Sequence, residues 1–136
     1  MPASAGAAFF DTNVLVYLVS GDAAKADRAE QALSSGGVIS VQVLNELANV
    51  ARRKMRLPWR EIHTFLDSLR GLLTIHPVTL DIHDTGLSLA ERYGMATYDA
   101  MIAASALHAG CQTLLSEDFQ HGMVLKEGLR ITNPFV

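Results

Sequence analysis

Short apolar runs that stop at an acidic or small polar residue recur along this chain. Each is followed by a longer stretch whose apolar positions lie three and four apart. The first run, residues 7–10, ends at Asp11 and leads into the apolar stretch 14–19. This predicts a buried strand that turns straight into a helix or near-helix, broken at Gly21. Asp22 caps a predicted alanine-rich helix over Ala23–Leu33, closed by Ser34, Ser35, Gly36 and Gly37. Val38 and Ile39 form a second short strand ending at Ser40. A helix over 41–55 follows, with Val43, Leu44, Leu47, Ala48, Ala51 and Met55 on its apolar face.

The second half repeats the alternation. Leu57 and Pro58 open a helix, with proline in the first turn it favours, and Ile62, Phe65, Leu66 and Leu69 form its buried face up to Gly71. Residues 74–78 read as a strand that Pro77 confines to a sheet edge. Thr79 or Asp81 caps the next helix, which carries Ile82, Leu89, Ala90 and Tyr93 and stops at Gly94. A further helix opens around Asp99, puts Ile102, Ala103, Ala106 and Leu107 on its apolar side, and ends at Gly110. Thr113–Leu115 is a strand that again runs into acids, Glu117 and Asp118, and residues 129–135 offer a last strand. Strands alternating with helices imply parallel pairing with right-handed crossovers. The expected fold is α/β: a three-layer α/β/α sandwich with a four- to five-stranded, mainly parallel sheet in one domain over 1–136.

Composition bounds the reading. A length of 136 residues is that of one domain with one core. Hydrophobic residues make up 49% and charged residues only 18%, a balance that suits a subunit interface. The single cysteine, Cys111, makes no internal disulfide and fits a reducing compartment; its setting predicts a buried small residue, not a nucleophile. Residues 1–8 lack the charged and long apolar segments of a secretory leader, and no apolar run approaches the ~20 residues of a membrane span. The expectation is a soluble, cytoplasmic protein.

Four acids stand in one relation to these elements. Asp11 ends the first strand, Asp118 follows the strand at 113–115, and Glu46 and Asp99 lie early in helices. In a parallel sheet, strand C-termini and helix N-termini share one edge, where such folds bind ligands. The four carboxylates are therefore expected to converge. Clustered carboxylates repel and raise one another's pKa unless a cation neutralises them. An all-oxygen set suits Mg²⁺ or Mn²⁺, and the five histidines and one cysteine show no zinc-ligand spacing. Metal held by carboxylates supports phosphodiester hydrolysis. Each acid also has a plainer reading, as turn former, helix cap or loop charge. Thr12, Asn13 and Ser116 are caps and turn residues, or else hydrogen-bond partners that hold the carboxylates.

These pieces together resemble the PIN-domain nucleases, and most closely the toxin subunits of VapBC-type toxin–antitoxin pairs. The resemblance lies in Phe10-Asp11-Thr12-Asn13-Val14-Leu15-Val16-Tyr17, Asn45-Glu46, Tyr98-Asp99-Ala100 and the stretch from Leu115 to Gly122, in that order across nearly the whole chain. It implies an endoribonuclease dependent on Mg²⁺ or Mn²⁺, with Asp11, Glu46, Asp99 and Asp118 around the metal. It also implies a homodimer, and a small antitoxin that blocks the active-site groove.

The formal charge of −3 argues against a nucleic-acid partner, but without those four acids it would be +1. Arg52, Arg53, Lys54, Arg56 and Arg60 crowd the stretch after Glu46, either as a solvated helix face or as phosphate contacts; Arg52, Arg53 and Arg56 are the candidates for RNA. Trp59 and Tyr17 are read as core or interface packing, or else as rings that stack on unpaired bases. His121 is read as a loop histidine or a proton donor. A phosphatase with a nucleophilic Asp11 needs a second Asp two residues on, where this chain has Asn13. The remaining alternative is a catalytically weak adaptor of the same fold that binds RNA or protein.

Overall fold

The structure, a computed structural model, describes residues 7–136. The first six residues, part of the segment read above as no leader, lie outside it. Among the described residues there are five strands: β1 (Ala8–Phe10), β2 (Val38–Ser40), β3 (Thr74–His76), β4 (Thr113–Leu115) and β5 (Arg130–Thr132). They form one sheet in the order β3-β2-β1-β4-β5, with every pairing parallel. Helices cover both faces, which is why the strands read as apolar runs without alternation. Phe9, Phe10, Ile39, Leu114 and Ile131 are fully buried along the sheet. Strand β3 lies at the sheet edge and ends at His76, just before Pro77.

Six α-helices connect the strands: α1 (Thr12–Leu15), α2 (Ala23–Leu33), α3 (Val41–Arg53), α4 (Trp59–Leu72), α5 (Leu80–Tyr93) and α6 (Thr97–His108). A 3₁₀ turn, Val16–Val19, follows α1. Local chemistry sets the boundaries. Asp22 accepts from Lys25 N at 3.1 Å, Thr79 Oγ1 accepts from Ile82 N at 3.2 Å, and Ser40 Oγ accepts from Val43 N at 3.4 Å. Gly94 ends α5 in the left-handed region, at φ 67°.

The structure departs from the pattern in three places. Helix α3 stops at Arg53, before the expected 55, and Arg56 takes a positive φ of 56° where the chain turns toward α4. Pro58 is the N-cap of α4, in extended backbone just before the first turn. Helix α6 has no exposed side between Ala100 and Ala106: every residue there is buried. Its alanines let neighbours approach from all directions, so a one-sided apolar face understates it. Among the described residues, no helix is long and apolar enough to cross a membrane. Cys111 is buried, and burial pushes its thiol up to about 11, so it stays protonated near neutrality.

Helices α5 and α6 meet most tightly at Gly86. A Cβ there would lie 2.4 Å from Met101 Sδ and 3.0 Å from Met101 Cε. Gly86→Val is therefore expected to lower unfolding free energy by about 1–3 kcal/mol, measured by denaturant titration. An unchanged midpoint would show that Met101 moves aside freely.

Candidate active site

Strands β1 and β4 end side by side. Phe10 pairs with Leu115, and the ladder runs one residue further, with Asp11 N donating to Leu115 O at 2.9 Å. The chain crosses to β2 on one side of β1 and comes back to β4 on the other, so this is the switch point where open parallel sheets bind ligands. Asp11 caps α1 and is only 4% exposed. Its Oδ1 accepts from Thr12 N at 2.7 Å, and its Oδ2 accepts from Ser116 Oγ at 2.8 Å and Asn13 Nδ2 at 3.4 Å.

Ser116 is the node of this network. Besides donating to Asp11, its fully buried oxygen accepts from Asn13 Nδ2 and from Asp118 N, both at 3.2 Å. One hydroxyl thus ties the end of β1 to the loop carrying Asp118. Asn13 completes the tie, its Oδ1 accepting from Glu117 N at 3.2 Å.

The other acids come from helices. Glu46 reaches across from α3: its Oε2 accepts from Thr12 Oγ1 at 3.0 Å and its Oε1 from Gln42 Nε2 at 2.7 Å. Asp99 sits in the first turn of α6, where no side chain caps the helix and the dipole favours negative charge. Asp11, Glu46, Asp99 and Asp118 all line one cavity of about 380 Å³, with Thr12, Asn13, Tyr17, Lys54, Tyr98 and Glu117 among the rest of its wall.

Burial pushes the Asp11 carboxyl from the ordinary 3.8 up to about 7; the charges of Glu46 and Asp118 add to the rise, and the Ser116 and Thr12 hydrogen bonds oppose it. Asp99 is raised too, by burial first and then by Asp118 and Glu46. Asp11 and Asp99 therefore each feel the charges of Glu46 and Asp118. Among the described residues, however, no three His, Cys, Asp or Glu side chains are gathered so as to hold a metal ion. As a donor set the residues fit a hard cation: five carboxylates line the wall, of which Glu117 is paired with Lys25, and no histidine or cysteine stands among the described lining residues.

Of the basic stretch, Lys54 lines the cavity. Arg52 donates to Leu57 O at 3.1 Å and lies over the Trp59 ring at 4.7 Å, and Arg53 and Arg56 are exposed away from the cavity wall. His121 Nδ1 accepts from Asn133 N, which ties its loop to the tail. A further cluster escaped the sequence reading. Glu117 accepts from the Tyr17 hydroxyl and pairs with Lys25 at 3.1 Å, and Lys25 also lies over the rings of Tyr17 and Phe135. The exposed Tyr98, quoted only as part of a motif, proves to border the cavity.

Ser116→Ala removes a buried hydroxyl with three partners. The expected result is a loss of roughly 10–100-fold in divalent-ion affinity, measured by calorimetric titration, because the Asp11 carboxylate and the Asp118 loop lose their common tie. An affinity within twofold of the native protein would show that the tie is dispensable.

A sequence profile of the PIN domain matches residues 8–122. Comparison with curated proteins found no match. Among solved structures, a toxin–antitoxin complex from Klebsiella pneumoniae is similar at TM-score 0.70 and 25% identity, covering 93% of this chain and 97% of that one. VapC20 from Mycobacterium tuberculosis, a toxin that cleaves the sarcin–ricin loop, is similar at TM-score 0.66 and 19% identity, covering 82% and 91%. VapBC2 from Rickettsia felis, bound to a DNA fragment from its promoter, is similar at TM-score 0.62 and 20% identity, covering 93% and 97%.

Proposed function

The chain belongs to the PIN-domain family, and from that premise we propose that it is an endoribonuclease dependent on Mg²⁺ or Mn²⁺, the toxin of a type II toxin–antitoxin pair. One observation carries the reading: four carboxylates from the end of β1, from α3, from α6 and from the loop after β4 open onto a single cavity. Asp11, Glu46, Asp99 and Asp118 are the residues that would hold the ion. A bound divalent cation supplies positive charge to the phosphoryl oxygens and a source of hydroxide at neutral pH.

The chain's own residues do the positioning. Ser116 and Asn13 hold Asp11 and the Asp118 loop in one frame. Thr12 and Gln42 orient Glu46. Lys54, on the cavity wall, offers a cation to a phosphate beside the scissile one, and Arg52, Arg53 and Arg56 continue that charge outward as sequence-independent contacts. The resemblance to the Klebsiella complex supports a small antitoxin partner that covers this cavity, and the family likeness supports a homodimer working in the cytoplasm.

The test is cleavage of a mixed RNA pool in Mg²⁺ by the native protein and by Asp99→Asn. The native protein is expected to cut, and the variant to be slower by on the order of a hundredfold or more, since one of the carboxylates that would hold the cation has lost its charge. Equal rates in the two proteins would place the chemistry elsewhere.

A further inference from the structure

Beside the acidic cavity lies a second and larger one, of about 820 Å³. The two share Glu46 and Tyr98, so they lie side by side. The floor of the larger cavity is a face of α3. Gln42, Asn45, Glu46 and Asn49 follow the i, i+3, i+4, i+7 spacing that puts side chains on one stripe of a helix. Three of the four are carboxamides. Gln42 already donates to Glu46, but neither the Asn45 nor the Asn49 carboxamide has a hydrogen-bond partner among the described residues. Val78, 44% exposed, gives the opposite wall an apolar surface, and Tyr98, 75% exposed, stands between the two cavities.

A carboxamide carries an acceptor and donors side by side, and this matches the edge of a nucleobase. An exposed tyrosine ring is a platform on which an unpaired base stacks regardless of its identity. Here both stand next to the carboxylates proposed to act on a phosphate. Sequence-specific reading of RNA works on unpaired bases that can be splayed out, stacked and hydrogen-bonded on their edges. A phosphate seated over Asp11 and Asp99 would carry its neighbouring nucleotide past Tyr98 and over Asn45 and Asn49.

We propose that this groove is a base-reading subsite: an unpaired RNA base flanking the scissile phosphate stacks on Tyr98 and is identified by the Asn45 and Asn49 carboxamides. This deepens the ribonuclease reading and rests on it. The chemistry selects single-stranded or loop RNA, and the selection is made by side chains that take no part in cleavage.

The experiment measures binding, so that it stands apart from catalysis. Fluorescence anisotropy is recorded for short single-stranded RNAs of each of the four base compositions, with the full chain, with Asn45→Leu/Asn49→Leu and with Tyr98→Ala. Both asparagines and the tyrosine are exposed, so the variants are expected to fold, and circular dichroism checks this. The native protein is expected to prefer one base by roughly tenfold. The double variant should reduce that preference to about twofold or less while leaving the weaker RNAs unchanged, and Tyr98→Ala should weaken all four RNAs alike. A native protein that binds all four equally, or binds none, overturns the proposal, as does a preference that survives in the double variant. If the double variant changes sedimentation from dimer to monomer and leaves the base preference intact, the groove is an interface between copies and the proposal falls. Failure of the ribonuclease reading shows separately, as an absence of cleavage by a protein that still discriminates bases.

Discussion

Asp11→Asn is expected to reduce RNA cleavage by roughly 10³-fold while leaving the protein folded. The substitution keeps shape and removes only charge. The new carboxamide retains an oxygen for Thr12 N, but its NH₂ group faces Ser116 Oγ, which already accepts from Asn13 and Asp118 N, so one of those bonds is given up and the variant folds at a modest cost in stability. What is lost is the most buried of the four carboxylates, and with it the charge that would fix a cation beneath the scissile phosphate. Cleavage rates under single-turnover conditions, with circular dichroism as a control, measure this. A folded variant that cuts at the native rate would remove Asp11 from the chemistry.

The second large effect concerns stability and pH in the absence of divalent ions. The Asp11 carboxyl is raised from 3.8 to about 7 in the folded protein, chiefly by burial. The folded state therefore binds this proton more tightly than the unfolded chain does. The resulting stabilisation is complete below the unfolded value and is lost as pH rises through about 7, an upper estimate of about 4 kcal/mol. Roughly 2.5 kcal/mol of it still stands at about pH 5, and almost none at about pH 8. Asp99, shifted in the same direction, adds to the trend. In chelator, the native protein should lose stability relative to Asp11→Asn between those two pH values, measured by urea titration. Saturating Mn²⁺ should restore the native protein at about pH 8 and do little for the variant, because the ion binds the ionised folded site and not the unfolded chain. A native-minus-variant difference that stays flat with pH would mean that the carboxylate is solvated and the cavity wet.

The site was legible to the extent that backbone geometry dictates it. An apolar run ending on an acid places that acid at a strand's C-terminal edge, and an acid in the first two turns of a helix in a parallel sheet reaches toward the same edge. Those two placements bring Asp11, Glu46, Asp99 and Asp118 to one cavity across more than a hundred residues of sequence. They do not foretell how the side chains are held. The sequence offers Ser116 as a hydrogen-bond partner of the carboxylates but does not say which one it holds, because its contact with Asp11 joins two strands only through β1–β4 pairing. The Tyr17, Glu117 and Lys25 cluster is hidden for the same reason. Periodicity also misled at α6, where alanines disguise a helix buried on all sides as one with a single apolar face. In the basic stretch, charge density pointed to the arginines, but the end of α3 at Arg53 turns Lys54 toward the cavity and leaves Arg52 over Trp59.

In the function proposed for this chain, the four carboxylates act through a divalent ion on RNA. The most direct measurement is single-turnover cleavage of one RNA by the native protein, first after exhaustive chelation and then as Mg²⁺ or Mn²⁺ is returned in steps. The expected result is no cleavage in chelator, and a rate that rises and saturates as metal is restored. Cleavage that persists undiminished in chelator, or that stays absent at saturating metal while the protein remains folded and binds the ion, would contradict it.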